Sequence, residues 1–291
     1  MAQGYLAAIY RSIPTKVGGV DRHQLLVNPT FDTGNTNGWT TSGTVTVETG
    51  GRGAGSAWVA KIVDTGSGAG LEQTVTLDTA LTSAAQCYAR CWAYFSPGKT
   101  GKLKITFLDE EEMPIGSPVE VTMSATPRFP VKGWGLWSVR MLAPVGTKAI
   151  RYEAKTTSPQ TWFLDDCGLM LIRQILGATG TLESAVLIDT TDVTTFASAQ
   201  SDGGWRRFYP TLYRGEQMTV RTLWSTDDTY SVTAEEEVFV ILYHDTAAQV
   251  RDEFYARVTG QVGRFPLEGV VERDLILTII SDVGTTDSTA D

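Results

Sequence analysis

The 291 residues include only three cysteines, Cys87, Cys91 and Cys167, and only two histidines, His23 and His244. An odd number of thiols with no CxxC pair argues against a disulfide framework or a zinc site. Cys87 and Cys91 fall four apart on one expected strand. About 13 Å then separates them, too far to bridge, and all three cysteines read as small buried hydrophobes. Neither histidine has a nucleophile or a metal-ligand partner at a motif spacing. No glycine-rich phosphate loop follows a strand and opens a helix. No apolar run approaches the roughly 20 residues of a membrane helix. The start, Met1-Ala2-Gln3-Gly4-Tyr5, lacks the charged and apolar regions of a signal peptide, which predicts assembly in the cytoplasm.

Lysine is missing from residues 173–291, which carry 19 carboxylates against 9 arginines, a net charge of −10. Residues 1–172 carry 14 carboxylates against 15 lysines and arginines, a net charge of +1. An acidic half of this size repels nucleic acid rather than binding it.

What the chain does have is threonine, glycine and alternating apolar residues, the composition of strands and turns. Strand patterns recur at 44–48, 57–63, 71–77, 87–95, 102–108, 119–123, 137–142 and 149–156, the spacing of a sandwich or jelly roll. A second series covers 182–188, 217–224, 237–243, 254–262 and 270–280, after a first short strand at 4–10. One short helix is expected within 246–252, and the polar end 284–291 reads as a flexible tail. The charge break and the change of pattern near Leu171–Gly177 place a domain boundary there. The expected fold is all-β: a barrel or sandwich from 1–24 and 173–291, with a jelly roll, 25–172, inserted in it.

Two motifs carry the jelly-roll assignment. Leu25-Leu26-Val27-Asn28-Pro29-Thr30-Phe31-Asp32 is followed by Gly38-Trp39, and Trp162-Phe163-Leu164-Asp165-Asp166-Cys167-Gly168-Leu169 closes the segment. Together they resemble the ends of carbohydrate-binding modules of the galactose-binding jelly-roll type, with Ala85–Phe95 similar to a central strand of that family. Trp39 reads as a core plug. Alternation puts Tyr88, Arg90, Trp92 and Tyr94 on one face of the central strand, opposite Cys87, Ala89, Cys91, Ala93 and Phe95. The resemblance implies that this aromatic face, with Trp134 and Trp137 from a Gly-rich turn, stacks on a host-surface glycan; packing against another domain or subunit is the competing reading. It also implies a structural calcium site at Asp32, Asp165 and Asp166, against simple hydrogen bonding of a turn.

In the acidic half, Trp205-Arg206-Arg207-Phe208-Tyr209-Pro210-Thr211-Leu212 reads as an amphipathic turn segment after a polar loop, 190–204. With Tyr255–Gly260 and Glu268–Ile279 it resembles, in order, the tail-tube proteins of long-tailed phages. That resemblance implies a virion tail protein that forms stacked rings, usually of six subunits. Tape-measure protein and DNA would occupy the lumen without specific binding. Candidate lumen carboxylates are Glu216, Glu235, Glu236, Glu237, Glu268, Glu272 and Asp274, which also read as a solvated acidic surface. A sugar-binding minor tail or receptor-binding component is the alternative. No catalytic site is expected. The run Asp109-Glu110-Glu111-Glu112 reads as an exposed turn, and no segment has room for the catalytic domain that usually accompanies such a module.

Overall fold

The computed structural model describes residues 6–50, 58–66, 68–124, 134–174, 188–189, 193–196, 207–210, 214–215, 217–223, 237–245, 250–264, 272–279 and 284–286. They are all-β, with no helix among them, and so none long and apolar enough to cross a membrane. They fall into two compact units, one drawn from Met1–Ile9, Gln174–His244 and Asp252–Val283, the other from Tyr10–Arg173, Asp245–Arg251 and Gly284–Asp291.

The first strands are β1 (Leu6–Ser12), β2 (Thr15–Val17), β3 (Val20–Arg22), β4 (Thr40–Ser42), β5 (Thr44–Thr49), β6 (Trp58–Asp64) and β7 (Gly70–Thr76). They are followed by β8 (Ala85–Tyr94), β9 (Thr100–Leu108), β10 (Val119–Ser124), β11 (Trp134–Ala143), β12 (Ala149–Thr156) and β13 (Gln160–Gln174). In the larger unit one antiparallel layer runs β11–β8–β13–β6–β5 and the other β10–β9–β12–β7–β4. The inward residues of both layers make one core, with Cys87, Ala89, Cys91 and Ala93 of β8 facing Leu103, Ile105, Ile150 and Tyr152. This is the sandwich that the strand periodicity predicts. Trp39 fills one end, 5.8 Å from the rings of both Phe31 and Tyr152, with its Nε1 donating to Asn28 O at 3.0 Å.

Residues 10–24, grouped by their sequence with the acidic half, pack in this sandwich unit. Ile13 N donates to Leu171 O and Leu25 N to Leu169 O. Strands β2 and β3 form a hairpin with Gly18 and Gly19 at φ +60° and +79°, a left-handed turn that glycine enters without strain. The Asp78 carboxylate accepts from both glycine N–H groups at 2.7 Å, clasping the hairpin to the sandwich. Gln73 fixes the opening segment in the same way: it accepts from Val27 N and donates to Val27 O and Gly38 O.

The outward face of the second layer is an ion ladder: Lys102–Glu120 at 2.6 Å, Lys104–Glu153 at 2.9 Å, Lys155–Glu153 at 2.7 Å and Lys155–Glu72 at 2.9 Å. Burial alone would raise the Glu153 carboxyl, but hydrogen bonds from Lys155 and Lys104 outweigh it and hold the group below the ordinary glutamate value. A carboxyl held lower in the folded chain contributes stability that is present above its unfolded pKa and lost as pH falls through its folded one. The melting temperature should therefore fall as pH drops below about 4.3. Glu153→Gln should flatten that part of the profile, and identical profiles for the two proteins would refute the assignment.

The other unit contains β14 (Ile188–Asp189), β15 (Val193–Phe196), β16 (Arg207–Pro210), β17 (Arg214–Gly215), β18 (Gln217–Leu223), β19 (Glu237–Asp245), β20 (Val250–Arg264) and β21 (Glu272–Ile279). Its main sheet runs β19–β20–β21–β18, with β14 paired to β17 and β15 to β16. Phe254, Ala256 and Val258 of β20 are buried, as are Leu275 and Leu277 of β21, and Val238–Ile241 of β19 are buried without alternation.

Three expectations are corrected here. Residues 250–252 begin β20 instead of ending a helix, because Val250, Phe254 and Val258 belong to a long β-branched and aromatic strand; 246–249 lie outside the described residues. Parts of the expected loop and turn segment, 193–196 and 207–210, pair as antiparallel strands. Residues 284–286 of the expected tail form β22 (Gly284–Thr286).

Candidate functional site

Strand β8 reads Ala-Gln-Cys-Tyr-Ala-Arg-Cys-Trp-Ala-Tyr, and the period of two separates small core residues from large amphipathic ones. The large ones share the second face of the first layer with neighbours on β11, β13 and β6. In register, Trp134 lies opposite Tyr94, and Tyr94 opposite Phe163. The Tyr94 ring sits 5.9 Å from Trp134 and 5.8 Å from Phe163, edge to face with both. Phe163 is in turn opposite Lys61, whose Nζ pairs with Glu48 Oε1 at 2.9 Å. One row across four strands therefore lines up three aromatic rings and ends at Lys61, which is half-exposed and ion-paired to Glu48 of β5. Val59, Trp92, Trp134 and Leu136 make the buried base of this cluster, and Tyr94 and Phe163 are its partly open members.

The six glycan-facing candidates do not share one environment. Tyr88, Arg90 and Trp92 are 0%, 6% and 3% exposed, and Trp134 is 8% exposed. Only Tyr94 and Trp137 are half-buried. Trp134 and Trp137 stand on strand β11, not in a turn, and three residues of separation point them to opposite faces. Trp134 joins the second-face cluster, whereas Trp137 packs against the sandwich core, where its Nε1 has no hydrogen-bond partner among the described residues.

Arg90 is held from the same sheet. Between Asp165 and Gly168 the register of β13 against β8 shifts by a bulge, and Asp166 takes φ +42°. This turns the Asp166 carboxylate onto Arg90, whose Nη2 lies 3.0 and 2.9 Å from its two oxygens. Gly168 completes the fit, because a Cβ there would lie 2.9 Å from Arg90 Cγ. Tyr152, buried in the core, donates its hydroxyl to Arg90 O at 2.8 Å.

The same bulge bears on the calcium candidates. The two end motifs do meet: Cys167 N donates to Pro29 O at 2.9 Å, and Gln24 accepts from Leu169 N and Leu26 N while donating to Cys167 O. Their carboxylates do not converge on a cation site. Asp166 is committed to Arg90, Asp165 is fully buried and accepts from Asp166 N, and exposed Asp32 accepts from Thr30 Oγ1. Among the described residues no group of three or more His, Cys, Asp or Glu side chains is placed to hold a metal.

The remaining candidates are quickly placed. Glu216, Glu235, Glu236 and Glu268 lie outside the described residues. Glu237 opens β19 and Glu272 opens β21. Asp274 is 6% exposed, in register with Arg221 of β18 and Val262 of β20. The acidic run 109–112 forms a tight turn: Asp109 Oδ1 accepts from Glu111 N and Met113 N, and Glu112 takes φ +61°. The three cysteines are buried thiols, and burial pushes Cys87 and Cys91 up to about 12.

Phe163, Lys61 and Glu48 were not singled out by the sequence. The available signal was Phe163 standing two residues before Asp165, which assigns both to the face opposite Trp162 and Leu164.

No protein-family model matches this chain, and no curated protein matches it. Solved structures do. One is the enzymatically active domain of tailspike protein 4 of bacteriophage CBA120, at 16% identity and TM-score 0.42, covering 51% of this chain and 21% of the tailspike chain. Another is TmCBM61 in complex with beta-1,4-galactotriose, at 22% identity and TM-score 0.38, covering 51% of this chain and 98% of that one. A third is the CBM22-1 xylan-binding domain of Paenibacillus barcinonensis Xyn10C, at 15% identity and TM-score 0.36, covering 50% of this chain and 92% of that one.

Proposed function

We propose that this chain is a non-catalytic, glycan-binding component of a phage tail, with the sandwich unit as its binding module. The observation that supports this reading is the row Trp134–Tyr94–Phe163 on adjacent strands. Strands lie about 4.8 Å apart, close to the repeat of a pyranose chain. A glycan laid across the strands would meet the partly open Tyr94 and Phe163 rings, with Trp134 packed beneath as their support, and then the Lys61–Glu48 pair, which offers a donor and an acceptor to hydroxyls. The carbohydrate module resemblance of residues 25–172 and the phage-tail resemblance of the acidic half point to the same pairing of roles. Tyr88, Arg90 and Trp92 serve in this reading as the buried support that holds the row in place.

Binding of the full-length chain to an array of bacterial and plant polysaccharides is the test. Tyr94→Ala and Phe163→Ala should each weaken any binding found by about tenfold or more, since truncating a central aromatic contact costs on the order of 2 kcal/mol. Silence across the array, or variants that bind as well as the parent, would sink the proposal.

A second reading, the hollow tail tube, is favoured by one observation. Among the described residues β18 (Gln217–Leu223) ends its sheet, paired only on the β21 side. An unpaired edge of seven residues is a template for another strand, and a ring of identical subunits would supply it. Negative-stain images of concentrated protein separate the two readings: tubes with a central hole support the second, discrete particles the first.

A further inference from the structure

We propose that Cys91 and Cys167 form a disulfide across strands β8 and β13 when the chain folds in the presence of a disulfide oxidant. The bulge creates the opportunity. Trp92 pairs with Asp165 and Arg90 with Gly168, so the single residue Cys91 faces two residues, Asp166 and Cys167. Asp166 turns to Arg90 on the second face, which leaves Cys167 turned into the core beside Cys91. Both side chains belong to the same core cluster, at 0% and 1% exposure. Continuing the Gly168–Arg90 register by one step sets Cys167 directly opposite Cys91. Cys87 is excluded as a partner of Cys91 by its position four residues along the same strand, and its own register neighbours are Leu171 and Met141.

The oxidant named is glutathione disulfide. One protein thiolate attacks it, forming a mixed disulfide and releasing one glutathione thiolate. The second protein thiolate attacks the mixed disulfide at the protein sulfur and displaces the second glutathione. Two protein S–H bonds are replaced by one S–S bond, and the oxidant leaves as two reduced glutathiones that carry the two protons. In the folded chain burial keeps both thiols protonated, so the reaction belongs to refolding or to transient opening of the sheet.

Full-length protein is unfolded and refolded at pH 8, once in a glutathione redox buffer and once in reductant, then alkylated and mapped by non-reducing peptide mass spectrometry. The expected product links Cys91 to Cys167 and leaves Cys87 alkylated. Its unfolding midpoint rises by roughly 5–10 °C and returns on reduction, because the link closes a long loop. Cys167→Ser should lose both the link and the shift, and Cys87→Ala should lose neither. Alkylation of all three thiols after oxidative refolding, a link through Cys87, or a linked chain no more stable than the reduced one would each overturn the proposal; all three are read in the parent even if Cys167→Ser does not fold.

Discussion

Trp162→Ala should lower the unfolding free energy by about 4 kcal/mol, in the range for a fully buried large aromatic. Trp162 is 0% exposed and stacks on Phe95 at 5.1 Å with the rings within 8° of parallel. It stands on β13 opposite Ile62, in the middle of the first layer, where no neighbour can close the gap without moving a strand. Its buried Nε1 has no hydrogen-bond partner among the described residues, so the loss is one of packing and not of polar satisfaction. Trp162→Phe should therefore cost much less, about 1–2 kcal/mol, because it keeps the stack and removes an unsatisfied N–H. Urea titrations followed by fluorescence measure both. A cost below about 2 kcal/mol for the alanine variant would show that the sandwich tolerates a cavity there.

Asp166→Ala should cost about 3 kcal/mol, because it leaves the Arg90 guanidinium in the sheet without that carboxylate. Two further variants separate charge from backbone. Asp166→Asn keeps a side chain that tolerates φ +42° and should cost less than alanine. Arg90→Met combined with Asp166→Ala should be more stable than Asp166→Ala alone, because the buried cation that lost this carboxylate is removed with it. A double variant no better than the single one would mean that the pair's electrostatics do not set the cost.

The layers of the sandwich were readable because β-sheet alternation is local. Cys87, Ala89, Cys91 and Ala93 had to share a face whatever the rest of the chain did, and that face is the core. Trp39 was readable for a similar reason, a large ring behind a glycine turn. Burial of the second face was not. Alternation divides a strand into two sides but does not say whether one or both are covered, so Tyr88 and Trp92 read as a platform although they are enclosed. Trp134 and Trp137 were misplaced because Gly133 and Gly135 signal a turn, whereas Gly135 sits in register with Ala93 inside the sheet. Asp165-Asp166 suggested calcium because nothing local shows that Arg90, 76 residues earlier, claims the second carboxylate.

The clasp on the β2–β3 hairpin has a practical consequence for anyone wishing to excise the sugar-binding candidate. A fragment begun at Leu25, where the opening motif starts, would discard Gln24, Ile13 and the glycine pair, and with them the bonds of Gln24 to Leu169, of Ile13 to Leu171 and of the hairpin to Asp78, leaving only Leu25 N on Leu169 O. The natural place to cut is ahead of Tyr10, so that the leader is carried as the strap that keeps the last strand seated.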